Sequence, residues 1–367
     1  MTETNQEKTR TGKAVVLNAP ESFCVQELNV PKPTEGTIVA KVQYGGVCGS
    51  DLHMTKGEFP LPYAIVLGHE GVGVIEELGE GVTHDYSGVE VQAGDRVYWC
   101  PIAPCHHCWY CTVEQDFSSC TNSTWFGPLE RPTWGSHAEY VTLPKDAAFF
   151  RIPDHTPSEA VIAFGCALPA VLQGVERAGG IKPLSNVVVQ GCGPIGLAAI
   201  MLAKISGAAN IIAIDGSEVR LELAYKFGAT KALDINKTSI DERNQLIKNI
   251  TANRGADLVI EGTGHRSAFQ EGLKICARNA SYLLIGLWAS QGEQLFDPSY
   301  IVQNNLRLIG TQYAQAKHYY GAMQVASLHH SKFPFTELVT HKCNLNEMGK
   351  ALDLVSSGKA GKVVMCP

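Results

Sequence analysis

The densest group of reactive side chains is a set of four cysteines, with two residues between neighbours among the first three: Cys105, Cys108, Cys111 and Cys120. A closed zinc site needs four soft ligands at about 2.3 Å from the metal, and this spacing lets one loop supply them all. The alternatives are a thioredoxin-like redox pair, an iron–sulfur cluster and four unrelated core cysteines. The segment shows no βαβ pattern and matches neither common ferredoxin spacing. We therefore predict a structural zinc site, with His106 and His107 as solvated loop residues.

A second group is a glycine-rich turn that follows a predicted strand and opens a predicted helix: Gly191, Gly193, Pro194, Ile195 and Gly196. In a dinucleotide-binding turn, the first glycine permits the sharp bend, the second admits the pyrophosphate, and the third lets helix and strand pack closely. The phosphates then face free N–H groups at the positive end of the helix. The alternative is an ordinary glycine turn, but the strand–turn–helix context favours dinucleotide binding.

Asp215 ends the next predicted strand, 24 residues after Gly191. A carboxylate at about this separation accepts hydrogen bonds from the adenosine ribose and repels a 2′-phosphate. The sequence therefore predicts NAD rather than NADP. Arg220 is also a predicted cofactor-binding residue, because it can touch the ribose or, in the opposite case, favour a phosphate.

A third group of potential ligands is dispersed along the chain: Cys48, His69, Glu70 and Cys166. Ligands drawn from separate segments are typical of a catalytic metal site, which keeps one position open for substrate. Each residue also has an ordinary explanation, since cysteine is often simply buried and a single histidine is more often a core residue than a ligand. Spacing alone does not decide between these interpretations.

The elements that must position these groups fall into two regions. Before about residue 150, β-forming residues cluster between glycines and prolines, which predicts a mostly β domain with strands at 13–17, 37–44, 71–78 and 96–99. From about residue 168, strands and helices alternate, which predicts a parallel sheet covered on both faces.

The second region contains six predicted strands in an order that fits a doubly wound dinucleotide fold. The strands are predicted at 187–189, 211–215, 232–234, 258–261, 282–285 and 306–309, and the helices at 194–206, 217–227, 240–252 and 267–278. After Gly310 we predict two helices and a strand at 361–365. This tail is too short to fold alone, so we place it against the first domain. The predicted domains are thus 1–167 together with 311–367, and 168–310.

Composition restricts the function further. The chain has 367 residues, is 45% hydrophobic and 18% charged, and carries a net charge of −6. Nucleic acid is a poor partner for a chain without a basic footprint, and no apolar run has the length of a membrane helix. The polar N-terminus lacks the apolar core of an export signal, and twelve cysteines in a chain of this size suit a reducing compartment. We therefore predict a cytoplasmic protein with a small-molecule substrate.

Taken together, the motifs resemble those of the zinc-dependent medium-chain alcohol dehydrogenases. The similar segments are 45–53, 68–73, the four-cysteine segment, the turn at Gly191 and the closing segment 361–364, in the order of that family. The resemblance implies a two-domain α/β fold, with a mostly β, GroES-like catalytic domain and a six-stranded Rossmann domain. It also implies two zinc ions, one catalytic and one structural, and a homodimer or homotetramer.

Residue by residue, the resemblance assigns the catalytic zinc to Cys48, His69 and Cys166, with Glu70 beside the metal. Asp51 matches a carboxylate that orients His69, and Ser50 and His53 match a proton relay. The activity implied is oxidation of an alcohol by hydride transfer to NAD. Pocket candidates are Ser50, Phe59, Trp99, Trp125, Leu287 and Trp288. The aromatic rings among them favour a bulky, cyclic or aromatic secondary alcohol.

Three positions depart from the family pattern. Eight residues separate Cys111 from Cys120, where seven are usual, and Gly49 and Met365 stand where some members carry a basic, pyrophosphate-binding residue. Three alternative functions stay open: a polyol dehydrogenase, a zinc-free reductase of conjugated carbonyls, and a cofactor-binding protein without turnover. Metal content and a substrate screen distinguish them.

Overall fold

The computed structural model describes residues 10–59, 61, 63–125, 129, 134–286 and 292–367. Packing divides the chain into two compact units. The first comprises Met1–Ile162, His341–Ser356 and Val363–Pro367, and the second comprises Ala163–Thr340 and Ser357–Lys362. Each unit therefore combines separate stretches of the chain.

The first unit is mostly β, as predicted. Its strands are β1 (Thr11–Ala19), β2 (Ser22–Asn29), β3 (Ile38–Val47), β4 (Ile65–Val66), β5 (Gly71–Leu78), β6 (Arg96–Trp99), β7 (Tyr140–Leu143), β8 (Phe149–Arg151), β15 (Val339–Cys343) and β16 (Lys362–Met365). One sheet has the order β2–β1–β4. The other has the order β15–β16–β3–β5–β6–β8, with β7 paired to β3.

Helices in the first unit are short. They are α1 (Gly49–Thr55), α2 (Ser158–Ile162) and α11 (Met348–Ser356), with a π-helical turn at Tyr110–Glu114 and 3₁₀ turns at Phe117–Ser119 and Leu345–Glu347. Side chains along β3 alternate between faces, so Ile38, Ala40 and Val42 enter a core with Trp99, while Lys41 is exposed. This core supports the chain segments that directly follow β3 and directly precede β5.

The second unit is a doubly wound α/β fold, which confirms the predicted fold class. Its parallel strands are β9 (Asn186–Gln190), β10 (Asn210–Asp215), β11 (Lys231–Asp234), β12 (Ala256–Glu261), β13 (Cys276–Leu284) and β14 (Arg307–Gly310). They lie in the order β11–β10–β9–β12–β13–β14. The chain adds β10 and β11 on one side of β9 and β12 to β14 on the other. Doubly wound folds bind their ligands at this switch point, and β9 is the strand that precedes the glycine-rich turn.

The helices of the second unit alternate with these strands or follow them. They are α3 (Ala167–Arg177), α4 (Pro194–Ile205), α5 (Glu218–Phe227), α6 (Ile240–Ile250), α7 (Arg266–Ile275), α8 (Pro298–Asn304), α9 (Ala316–His329) and α10 (Phe335–Leu338). The predicted helix at 267–278 ends earlier, at Ile275, because Cys276 already pairs with Ala256 as the first residue of β13. Within the described ranges, every helix is too short or too polar to cross a membrane.

The compact units differ from the predicted domain boundaries, since 163–167 and 311–340 pack with the second unit. Helix α9 lies against α3. The side-chain amide of Gln173 on α3 donates to Thr311 Oγ1 at 3.2 Å and to the carbonyl of Gln312 at 3.0 Å. These contacts hold the segment that follows β14 in the second unit, against α3.

Candidate metal and dinucleotide sites

Antiparallel strands bring three of the predicted ligands to one end of the larger sheet. In the β3–β5 pair, the N–H of Gly46 donates to the carbonyl of Glu70 at 2.9 Å. Cys48 directly follows β3, while His69 and Glu70 directly precede β5. Because antiparallel pairing places the end of one strand beside the start of the other, residues distant in sequence become neighbours here.

Cys166, the N-cap residue of α3, completes the group. The ligand atoms of Cys48, His69, Glu70 and Cys166 all lie within 4.8 Å of one another. His69 is 6% exposed and Glu70 is 1% exposed, so water competes little for these positions. Two thiols, an imidazole and a carboxylate form a donor set that suits zinc, and these side chains therefore fit the predicted metal.

Asp51 supports this group from the first turn of α1, where it is fully buried. Its Oδ2 accepts the backbone N–H of Cys48 at 2.8 Å, and its Oδ1 lies 3.4 Å from Nδ1 of His69. Burial alone would raise the pKa of Asp51, but the charges and hydrogen bonds of His69 and His137 hold it well below the usual range. Since Nδ1 of His69 faces this carboxylate, Nε2 is left as its ligand atom.

The electrostatics of His69 mirror those of Asp51. Burial disfavours the charged imidazole, but the nearby Asp51 carboxylate outweighs burial and raises the pKa of His69 well above its ordinary value. A metal ion that binds His69 must therefore displace a proton, as is general for imidazole ligands.

His137 is not among the site residues predicted from the sequence. It is fully buried, and its Nε2 lies 3.8 Å from Oδ2 of Asp51. The other carboxylate oxygen, Oδ1, is the one that faces His69. No spacing rule connects His137 with Asp51, because the contact arises from the fold of the sheet. Only the presence of a histidine within an apolar β segment could have drawn attention to it.

The predicted relay residues Ser50 and His53 both lie on α1. The hydroxyl of Ser50 is 3.6 Å from Sγ of Cys48, which places it at the ligand group. His53 is half-buried, and its Nδ1 contacts Glu58 Oε2 at 2.5 Å. Ser50 and His53 are separated by three positions, so they share one face of the helix.

The second candidate metal site is the group of four cysteines, whose sulfur atoms converge. The Sγ–Sγ distances are 3.5 Å for Cys108–Cys111, 3.8 Å for Cys108–Cys120 and 3.5 Å for Cys105–Cys120. A tetrahedron with ligands at about 2.3 Å from zinc has edges of about 3.8 Å, whereas a disulfide bond is about 2.0 Å long. The donor set and its dimensions therefore fit zinc.

Ionisation of these thiols also favours a metal. Burial opposes ionisation of Cys108, but backbone N–H groups and neighbouring thiols outweigh it and lower its pKa to about 6. Burial and the adjacent thiols instead raise the pKa of Cys111 to about 12. Four thiolates therefore do not coexist here on their own, and a bound cation is what permits them.

The eight-residue gap after Cys111 is absorbed by the π-helical turn at Tyr110–Glu114, which ends at Gln115 in a left-handed conformation with φ 57°. A π-helical turn accommodates one extra residue relative to an α-helical one. His106 and His107 are exposed, in agreement with the loop role predicted for them.

The glycine-rich turn connects β9 to α4 with the predicted geometry. Gly191 has φ +86°, and a Cβ atom on Gly196 would lie 1.7 Å from the carbonyl oxygen of Gly191, so neither position tolerates a side chain. Gly193 is the N-cap of α4, with open space around it, and Pro194 occupies the first turn beside Ile195. Free N–H groups at this helix start can receive a pyrophosphate.

Asp215 lies at the end of β10, beside this turn. Its Oδ2 accepts the N–H of Cys192 at 2.6 Å and its Oδ1 accepts the N–H of Ser217 at 2.7 Å, so the carboxylate is held in place. Arg220, on α5, has a buried Nε without a hydrogen-bond partner among the described residues. The turn and Asp215 thus form one polar group suited to a nucleotide, and Arg220 lies on the helix that follows Asp215.

The pocket candidates have different environments. Phe59 and Trp125 stack on each other, with ring centroids 5.7 Å apart. Trp99 is fully buried in the core of the first unit, packed over Gly71, so it is unavailable to a substrate. Leu287 and Trp288 lie outside the described residues.

Two family models match the chain. Residues 34–154 match the alcohol dehydrogenase GroES-like domain, and residues 194–327 match the zinc-binding dehydrogenase family. The chain belongs to the zinc-dependent medium-chain alcohol dehydrogenases. This confirms the predicted family, and with it oxidoreductase activity on CH–OH groups, zinc, and a nicotinamide dinucleotide as cofactor.

Similarity to other alcohol dehydrogenases extends over nearly the whole chain. This chain is 44% identical to 5-exo-hydroxycamphor dehydrogenase of Pseudomonas putida, and the match covers 96% of this chain and 98% of that protein. A crystal structure of an alcohol dehydrogenase from Thermotoga maritima has a TM-score of 0.91 and 29% identity, covering 98% of this chain and 100% of the other. A zinc-binding dehydrogenase from Sinorhizobium meliloti, crystallised with NADP, has a TM-score of 0.85 and 25% identity, covering 98% and 100%.

The departures from the pattern of this alcohol dehydrogenase family also have structural correlates. Met365 on β16 is fully buried in the first unit, so it cannot replace a phosphate-binding arginine. Gly49 has open space around it and offers no side chain. These two positions therefore leave phosphate binding to the glycine-rich turn and to basic residues elsewhere.

The four-cysteine site gives a direct prediction. Replacing Cys111, which is 5% exposed, by serine removes one ligand of the structural zinc. We expect the zinc content to fall from two ions to one per chain and the free energy of unfolding to drop by about 3–5 kcal/mol, the range of large effects that follow loss of a metal site. Elemental analysis and chemical denaturation measure both quantities. Cys24→Ser, at an exposed cysteine, is the matched control, and an unchanged zinc content in Cys111→Ser would contradict the assignment.

Proposed function

We propose that this protein is an NAD-dependent dehydrogenase that oxidises a bulky, cyclic secondary alcohol to a ketone. The convergence of Cys48, His69, Glu70 and Cys166 carries the proposal, because no structural role requires these four donors together. The name of the Pseudomonas putida relative supports the substrate class, since a hydroxylated camphor is a bulky cyclic secondary alcohol.

In this proposal, Cys48, His69 and Cys166 hold the catalytic zinc, and Glu70 lies beside it. A zinc ion there supplies a Lewis acid, which makes the substrate hydroxyl more acidic. Asp51 fixes the tautomer of His69 by accepting its Nδ1–H, as carboxylates commonly do for zinc-bound histidines. A bound nicotinamide dinucleotide would supply the hydride acceptor, and the part of this chain is to bind and orient the reacting groups.

The hydroxyl proton leaves through residues on α1. Ser50 lies at the ligand group, 3.6 Å from Sγ of Cys48, where its hydroxyl can accept the proton of the substrate. His53 lies one helical turn away on the same face and is partly exposed, so it can release a proton to solvent. The contact with Glu58 orients the His53 ring.

Asp215 supports the choice of NAD over NADP. Both its oxygens are fixed by backbone N–H groups of Cys192 and Ser217, yet each retains a lone pair for a ribose hydroxyl. A 2′-phosphate placed beside this carboxylate would be repelled. Arg220, whose buried Nε has no hydrogen-bond partner among the described residues, is the basic residue proposed to bind the adenosine end of the cofactor.

Two of the predicted pocket residues support an apolar substrate. The stacked rings of Phe59 and Trp125 form an aromatic surface that suits a rigid hydrocarbon ring. A polyol is the alternative, because the buried carboxylate of Glu70 could accept extra hydroxyl groups. Cys166 favours the simple alcohol, because the family resemblance implies a glutamate as the third ligand in many polyol dehydrogenases.

A cytoplasmic location and a dimer, or a dimer of dimers, belong to the same proposal. None of the twelve cysteines forms a disulfide bond in the structure, which suits a reducing compartment. Strand β14 is an edge of its sheet, and edge strands are usually paired or covered. Leu295 and Val302, in the segment that leads to β14, are 90% and 74% exposed and offer apolar surface for a twofold contact.

A spectrophotometric screen for NADH and NADPH formation tests the function. We expect turnover with bicyclic and cyclic secondary alcohols, little with polyols, and a preference for NAD because of Asp215. Cys48→Ser should abolish turnover while dinucleotide binding persists, because the variant loses a zinc ligand but keeps the glycine-rich turn. Cys24→Ser is the control at an exposed thiol. Dinucleotide binding without turnover of any alcohol, or full activity in Cys48→Ser, would contradict the proposal.

Light scattering tests the oligomeric state. A dimer or tetramer has two or four times the chain mass of 39.6 kDa. Val302→Glu should shift the population toward the monomer, because it places a charge in the proposed contact, whereas Val219→Glu on α5, also at an exposed valine, should not. A monomeric unaltered chain would contradict this part of the proposal.

A further inference from the structure

Among the described residues of the first unit, the buried polar atoms that lack a hydrogen-bond partner are concentrated around Asp51. Ten buried side-chain nitrogen and oxygen atoms of the described residues lack a hydrogen-bond partner, and five belong to one cluster: Asp51 Oδ1, His69 Nδ1, Ser136 Oγ, and Nδ1 and Nε2 of His137. A buried polar atom without a partner costs about 1–3 kcal/mol. A cluster of them points to a site whose contacts tighten when its ligand binds.

His137 is attached to the segment that carries His69. Its backbone N–H donates to the carbonyl of Leu67 at 3.0 Å, and the N–H of Ser136 donates to the carbonyl of Gly68 at 3.0 Å. Gly68 has φ +91°, and a Cβ atom there would lie 2.7 Å from Nδ1 of His137. A side chain at position 68 is disfavoured by this backbone conformation and by the hydroxyl of Ser136 and the imidazole of His137, which occupy the space.

The side chain of His137 is linked to His69, the proposed zinc ligand, by way of Asp51, which lies between the two imidazoles. The two carboxylate oxygens face different imidazoles, with Oδ1 at 3.4 Å from His69 Nδ1 and Oδ2 at 3.8 Å from His137 Nε2. Both Asp51 and His137 are fully buried. A buried carboxylate is stable as an anion only when donors surround it. Here the N–H of Cys48 donates to Oδ2, and the two imidazoles face the carboxylate at 3.4 and 3.8 Å without forming hydrogen bonds to it.

We propose that His137 is a positioning residue for the catalytic zinc. The imidazole of His137 holds Asp51 in place, and Asp51 in turn orients His69. This inference rests on the proposed function, because it assumes that His69 is a zinc ligand. A residue that merely fills the core would need only volume, whereas this role needs a donor at the position of Nε2. The two roles are separable by experiment.

The test compares two replacements of similar size and flexibility, His137→Met and His137→Gln, of which only glutamine keeps an N–H donor. Zinc affinity is measured on the full chain, without substrate or cofactor, by competition with a chromogenic chelator. Zinc in the four-cysteine site serves as an internal reference for folding. His137→Met should bind the catalytic zinc about 10–100-fold more weakly, the usual effect of losing an outer-shell partner, while His137→Gln should lose much less.

A matched control is His318→Phe, which removes another buried histidine paired to a carboxylate, 2.7 Å from Glu176 Oε2, and should leave zinc affinity unchanged. In an Asp51→Asn chain, His137→Met should cause no further loss, because its effect passes through the carboxylate. If both flexible replacements disturb folding, His137→Phe repeats the comparison with a ring.

Two failures are distinguishable. If the unaltered chain binds only the four-cysteine zinc, the proposed function is wrong. If it binds both ions and the methionine and glutamine variants have equal affinity, or the losses add in the Asp51→Asn chain, the role of His137 is wrong while the proposed function stands.

Discussion

The pairing of β3 with β5 is the constraint on which the site depends. Their antiparallel register places Gly45 opposite Gly71, so the chain leaves β3 at Cys48 just where it enters β5 from His69 and Glu70. A slip of one residue would turn each side chain to the opposite face. The apolar core beneath the sheet, which includes Ile75 and Trp99, makes such a slip costly and thereby holds the ligands together.

Much of the architecture was accessible from the sequence. Regular alternation of apolar strands and amphipathic helices after residue 168 predicted all six parallel strands, because β-branched runs such as Val187–Val189 are fully buried on both faces. Five strands of the first unit were not predicted: β2, β4, β7, β8 and β15. Half-buried and exposed residues alternate along β2 and β15 with little apolar signal, and β4, β7 and β8 are only two to four residues long. Boundaries that depend on tertiary packing, such as the end of α7 at Ile275, were also beyond local patterns.

The candidate sites divide in the same way. The four cysteines and the glycine-rich turn are local in sequence, so the cysteine spacing, and the glycine spacing in its strand–turn–helix context, indicated both chemistries. The dispersed group was visible only through family resemblance, because nothing local ties Cys166 to Cys48. His137 escaped entirely, since its relation to Asp51 is created by hydrogen bonds of the 136–137 segment to Leu67 and Gly68.

The most direct test of the account is anomalous diffraction at the zinc edge, on crystals of the protein grown with zinc. The account predicts two peaks per chain. One should lie at about 2.0–2.3 Å from Cys48, His69 and Cys166, and the other among the four cysteines. A chain with zinc only at the four cysteines, and the dispersed side chains free of metal, would contradict it.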